Sequence, residues 1–334
     1  MIRRLFALIL MLLLLLSGCA EEQVETQPPE LTNNTVGISL PDHSWSAYAT
    51  QLNQLLKASG YQVIVEYADG DAQAQEAQVQ TLVSMPVSCM ILVAVDSLAM
   101  GDAIAHAKQA GVPVIALDRM LMHTDGVSGC VAVDYYGAGE QIGRYIIEKK
   151  QLESATEPVT IEFFMGSPEN HSALLFYEGV MQQLKPYLEN GTLKCLSKRT
   201  AFEDVCFPQE DLDAAWSRCF DYLTDYYKKD APDVVCAATD TLAAGCIKAL
   251  NGAGVKPESD AWPLITGAGA TEEGLNNTAM GYQSVTLRTD MQTLVTQCVL
   301  WTHSVIKGKE LTGETTFNGA ADVPTWLLLP TVLE

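Results

Sequence analysis

The chain has 334 residues, 48% of them apolar, with 41 acidic against 20 basic side chains and a formal charge of −21. That imbalance excludes nucleic acid and anionic lipid headgroups as electrostatic partners. The apolar fraction supplies real cores, and a folded chain of this size usually divides into two domains.

Residues 1–18 read as a secretory signal: Arg3 and Arg4 form a basic flank, Leu5 to Leu16 an apolar run, and Ser17-Gly18 the small residues before a cut. The run is too short for a comfortable membrane span. Leu16-Ser17-Gly18-Cys19 resembles a bacterial lipoprotein signal, which implies cleavage before Cys19 and lipid on its sulfur, holding a soluble domain at the membrane. Loss of the two arginines with the signal leaves 18 basic residues and a charge near −23. Residues 19–34, rich in Glu, Gln, Thr, Pro and Asn, read as a flexible tether.

From Thr35 onward, strand and helix patterns alternate. The strand Val36–Leu40 runs into Pro41-Asp42-His43-Ser44-Trp45, followed by a helix to Ala58 that Gly60 stops. Strands at 61–67, 89–95, 114–117 and 129–133 are separated by helices at 72–84 and 98–110. A long helix, Tyr136 to Lys150, leads to a second series: strands at 159–164, 193–197, 233–237 and 264–266 with helices at 172–188, 212–228 and 241–251. Short connections between alternating elements imply parallel strands with right-handed crossovers, hence two doubly wound α/β lobes in tandem. The cleft between such lobes is the natural place for a small molecule.

The stretch Val112-Pro113-Val114-Ile115-Ala116-Leu117-Asp118-Arg119 is a buried strand that ends in an acid and a base. Ligands of open parallel sheets lie at the carboxyl ends of the strands, and a guanidinium beside a carboxylate can donate to and accept from vicinal hydroxyls together. The alternative is a local ion pair closing a loop. Pro263-Leu264-Ile265-Thr266-Gly267 is the matching strand end in the second series.

Of nine cysteines, Cys19 takes lipid, and Cys89, Cys236, Cys246 and Cys298 sit in apolar patterns as small buried hydrophobes. Cys195, Cys206 and Cys219 lie near polar or loop sequence and are the only candidates for pairing, with mostly free thiols expected. No metal-ligand spacing, G-x-S-x-G or G-x-G-x-x-G is present, and no histidine is paired with a nucleophile, so no metal, cofactor or enzyme chemistry is implied.

The order and spacing of Val36-Gly37-Ile38-Ser39 followed by Trp45, the Val114–Arg119 strand end, Gly166-Ser167-Pro168 and Phe176-Tyr177-Glu178-Gly179 through Leu188 resemble a type I periplasmic binding protein of the ribose/xylose/galactose group. Within it the chain is similar to multiple-sugar-binding receptors of ABC importers, from Thr35 to about Pro330. The resemblance implies two Rossmann-like lobes joined by a three-stranded hinge, with crossings near Gly143, Arg288 and Thr312. The first lobe would comprise residues 35–142 and 289–312 and the second residues 143–288 and 313–334, with Val323 to Leu329 a closing strand on the second. It also implies a sugar ligand, an ABC permease as partner and an extracytoplasmic location. A subunit presenting sugar to a membrane receptor or kinase would share these features, and gene neighbourhood separates the two.

By the same resemblance Trp45 stacks on the sugar face, Asp118 and Arg119 bind hydroxyls, Asn170 and Ser172 are polar contacts, Thr239 is a ligand contact where the family commonly has an amide or aromatic, and Arg288 is a basic one. The bland alternatives are a helix-start staple for Trp45 and a hinge ion pair for Arg288. The family usually carries Gly-Gln-Asp where this chain has Gly267-Ala268-Gly269, so one carboxylate is missing unless Glu272 or Glu273 replaces it.

Overall fold

The computed structural model describes residues 34–208, 211–228 and 230–334. The expected signal, Cys19 and almost all of the tether lie outside the described residues. Among those described, no helix is long and apolar enough to cross a membrane.

The first series gives β1 (Thr35–Leu40), α1 (Ser46–Ala58), β2 (Gln62–Tyr67), α2 (Ala72–Val83), β3 (Val87–Leu92), α3 (Gly101–Ala110), β4 (Val114–Leu117) and β5 (Val127–Val133). β1 is buried at every position and β4 likewise, as strands covered on both faces should be. The second series gives α4 (Tyr135–Lys149), β6 (Val159–Phe164), α5 (His171–Glu189), β7 (Leu193–Lys194), α6 (Phe202–Val205), α7 (Leu212–Asp225), β8 (Val234–Ala237), α8 (Asp240–Ala253), β9 (Leu264–Ile265), α9 (Glu272–Ala279) and β10 (Thr286–Arg288). The chain ends in α10 (Met291–Ile306), β11 (Glu314–Phe317), β12 (Asp322–Leu328) and β13 (Thr331–Leu333).

A seven-stranded sheet runs β11-β12-β5-β4-β3-β1-β2 and a four-stranded one β7-β6-β8-β9, while β10 and β13 form an antiparallel pair. Only β11 runs antiparallel in the large sheet. Each sheet carries a core on each face. α1 and α10 cover one side of the large sheet and α2 and α3 the other. The small sheet lies between α4 with α5 and α7 with α8. The fold is therefore two α/β lobes, as expected.

The positions where the chain passes between lobes differ from the expectation at two of three places. α4 already belongs to the second lobe, because its buried stripe Ala138, Ile142 and Ile146 packs in the same cluster as Phe176, Val180 and Leu184 of α5. The first passage is therefore at Asp134, ahead of Gly143. The second follows Arg288, whose neighbour Leu287 lies in the second-lobe core while α10 lies in the first. The third follows β12 and not Thr312: Thr325–Leu328 pair with Cys130–Val133 of β5, so the strand expected to close the second sheet extends the first. Val332 of β13 then returns to the second-lobe core.

All eight cysteines among the described residues are free thiols, and Cys195, Cys206 and Cys219 do not pair.

Candidate functional site

Three loops at strand ends and two helix starts converge on the cleft. After β1, the Asp42 carboxylate accepts from the Ser44 amide at 2.7 Å and fixes a turn through Trp45. The indole of Trp45 lies 4.8 Å from the Tyr48 ring at a 45° tilt, one turn further along the chain. After β4, Asp118 takes a left-handed backbone (φ 66°), a conformation that Asp tolerates better than most L residues. Its amide donates to the Val131 carbonyl at 2.7 Å, tying the strand end to β5.

Asp118 is 6% exposed, and its carboxylate Oδ1 accepts from the Tyr135 hydroxyl at 2.8 Å. Burial raises its pKa above the usual carboxylate value, an effect that Arg119 and the Tyr135 hydrogen bond oppose. Burial, with Asp118 nearby, also pushes the Tyr48 phenol up to about 12, so both tyrosines stay neutral donors. The Arg119 guanidinium sits 5.8 Å from the Trp45 ring centroid. Its Nη1 donates to the Ala94 carbonyl at 2.7 Å, while its buried Nε has no partner among the described residues. The fork is thus anchored at Nη1 and closed in at Nε, which leaves Nη2 to donate to a ligand.

From the second lobe, Asn170 caps α5: its Oδ1 accepts from the Ser172 amide at 3.1 Å, which leaves the amide nitrogen to act as donor. Ser172 is 5% exposed in the first turn of that helix. Thr239 caps α8 in the same way, accepting from the Leu242 amide at 3.3 Å.

Trp45, Asp118, Arg119, Asn170, Ser172 and Thr239 all line one cavity of about 530 Å³. Arg288 does not. Side chains alternate along a strand, and Leu287 and Thr289 line the cavity on either side of Arg288, which is exposed on the other face. Glu272 and Glu273 are exposed in the first turn of α9 and do not line it either, so no carboxylate replaces the missing one. Gly269 lines the cavity with φ 119°, a backbone that strains any L side chain. Its loop is held by buried Asp240, whose carboxylate accepts from Gln283 Nε2 at 2.8 Å, Thr286 Oγ1 at 2.7 Å and the Thr271 amide at 2.8 Å.

Tyr48 and Tyr135 also line the cavity, and sequence reasoning missed both as site residues. The signal was there: Tyr48 stands three residues after Trp45 on the same helix face, and Tyr135 follows β5 much as Asp118 follows β4. The walls differ in character. The first lobe presents Asp118, Arg119 and Tyr48, while the second presents Ala173, Phe176, Ala238, Ala268 and Gly269 beside its few polar groups.

The periplasmic binding protein domain family matches residues 36–310. The multiple sugar-binding periplasmic protein SbpA of Azospirillum brasilense is 31% identical over 301 residues, 89% of this chain and 84% of that protein. The multiple sugar-binding periplasmic receptor ChvE of Rhizobium radiobacter is 29% identical over 306 residues, 90% of this chain and 86% of that one. Among solved structures, an ABC transporter solute-binding protein of Clostridium phytofermentans with bound β-D-glucose superposes with a TM-score of 0.83 at 31% identity, over 89% of this chain and 93% of the other. These relatives are sugar- or solute-binding proteins and not enzymes. The chain thus belongs to the periplasmic binding protein domain family, among its type I sugar-binding members.

Proposed function

We propose that this chain is an extracytoplasmic binding lipoprotein, lipid-anchored through Cys19 to the cell membrane, or at the periplasmic face in a Gram-negative host. It captures a monosaccharide or small glycoside by closure of its lobes and delivers it to the permease of an ABC importer. The observation that carries the reading is the cavity: an indole, a buried carboxylate and a half-used guanidinium face two helix-capping side chains of the other lobe. An aromatic face suits the C–H face of a sugar ring, and the carboxylate and guanidinium suit its hydroxyls. The glucose-bound relative and a D-xylose-binding relative from Escherichia coli, 26% identical over 301 residues, support a neutral sugar as the ligand class.

A thermal-shift screen over pentoses, hexoses, glycosides and disaccharides tests this, since a ligand that binds only the folded state raises Tm. Titration calorimetry on Trp45→Ala should then show a loss of about 1–3 kcal/mol, the scale of a buried aromatic contact. The absence of any sugar-induced shift would refute the ligand class, and unchanged affinity in the variant would remove Trp45 from the site. For the anchor, the full-length protein should partition with membranes and Cys19→Ser should not.

A further inference from the structure

A second, smaller cavity of about 190 Å³ adjoins the main one and shares Asp118, Val133, Tyr135 and Ser172 with it along the common boundary. Its remaining lining is largely apolar: Met120 and Met122 from the loop after β4, Leu175 from α5, and Phe317 and Leu327 from β11 and β12. Phe317 is 66% exposed and Leu327 42% exposed, large apolar side chains left partly in water at the rim. Neither Leu175 nor Phe317 belongs to any of the four cores. Their place at this chamber is not explained by packing.

The chamber is a built feature. Buried Asn318, at the turn between β11 and β12, donates from Nδ2 to the carbonyls of Leu121 at 2.8 Å and Thr124 at 2.7 Å. The His123 amide donates back to the Asn318 carbonyl at 2.7 Å. These bonds lock the hairpin that carries Phe317 to the loop that carries the two methionines. The third side comes from the other lobe, through His171, Ser172 and Leu175 at the start of α5. Burial holds the His171 imidazole below its usual pKa and therefore neutral at pH 7, so it adds no charge to the chamber.

Resting on the sugar reading above, we propose that this chamber receives an apolar alkyl or aryl substituent of a sugar seated in the main cavity, so that the preferred ligand is a glycoside and not a free sugar. The size fits, because an apolar cavity of roughly 150 Å³ admits a benzene ring. Methionine side chains adapt to substituents of different shape. A ligand bridging both cavities touches both lobes, so the aglycone also favours the closed form.

The test is titration calorimetry with D-glucose, D-xylose and the phenyl α- and β-glycosides of each, on the natural protein, Phe317→Ser and Leu175→Asn. One phenyl glycoside should bind about tenfold or more tighter than its bare sugar, the effect of burying a ring of that size. Both variants should lose that advantage while binding the bare sugar as before. Phenyl glycosides that bind no tighter than the bare sugars overturn the proposal while leaving the sugar reading intact, as does an advantage that survives in both variants. If neither sugars nor glycosides bind, the sugar reading falls and takes this proposal with it.

Discussion

Arg119 carries two kinds of partner on one planar group. Its Nη1 is held by the Ala94 carbonyl at 2.7 Å, which sets the orientation of Nη2. A lysine keeps the charge but cannot hold that carbonyl and also present a fixed donor pair. Arg119→Lys should therefore weaken sugar binding about tenfold to a hundredfold, the range for a lost charge-assisted hydrogen bond, with little change in Tm of the free protein. Equal affinity would make the guanidinium a structural clamp only. Asp118 makes the complementary case. Burial raises its folded pKa above the unfolded value of about 3.9, so the folded state holds this proton more tightly than the unfolded one. The ionised carboxylate therefore costs stability, and the cost grows as pH rises from about 4 through the folded pKa. Asp118→Asn, which still accepts from Tyr135, should be more stable than the natural ligand-free protein at pH 7 and should lose that advantage towards pH 4, while binding sugar poorly. Urea midpoints at the two pH values check the sign; a variant no more stable at pH 7 would mean that the carboxylate serves the fold.

The second-lobe wall of the site depends on how closely α4 approaches α5. A Cβ on Gly139 would collide with the Phe176 carbonyl oxygen, and one on Gly179 with the Tyr136 carbonyl oxygen, so each helix buries its backbone against a glycine of the other. Ala138, Ala173 and Phe176, which line the cavity, ride on this contact. Gly139→Ala and Gly179→Ala should each destabilise by about 1–3 kcal/mol or more, the cost of overpacking a tight contact. An unchanged urea midpoint would show that the helices can separate freely. The same elements show what the sequence could disclose. β4 is a continuous apolar run and was legible because burial on both faces needs no alternation. Of the hairpin β11–β12, only the second strand was expected, and that through the family resemblance: all four residues of β11 are exposed, and Pro324 lies inside β12, which reads as an argument against a strand unless it sits near an edge. Its placement on the large sheet is a tertiary outcome, and Phe317 reaches the smaller chamber only through it. Asp118 and Arg119 could be placed by the rule for strand ends, whereas Arg288 could not, because a three-residue strand carries no pattern that tells which face of it meets the cavity.

At the scale of the whole molecule, the formal charge of −21 creates a negative field around a cleft that already holds a buried carboxylate. A neutral sugar gains nothing from that field and loses nothing to it, since its hydroxyls interact over hydrogen-bond distances that salt does not screen. An anionic ligand would be repelled, and screening would relieve the repulsion: the Debye length falls from about 30 Å at 0.01 M to about 3 Å at 1 M ionic strength. Titration calorimetry with the best sugar of the screen should therefore give a Kd that changes by less than about twofold between these salt concentrations. The thermal shift should persist across them as well, because ligand at about 100 times Kd adds about 2.7 kcal/mol whatever the ionic strength, enough to move Tm by several degrees. Affinity that rises steeply with salt would mean that the ligand is an acid, and Arg119 would then be its counter-charge in place of a donor to hydroxyls. Affinity that falls steeply with salt would mean a cation held by Asp118, with the indole of Trp45 as its cation–π face. Only the flat profile leaves the neighbouring carboxylate and guanidinium working together on an uncharged ring.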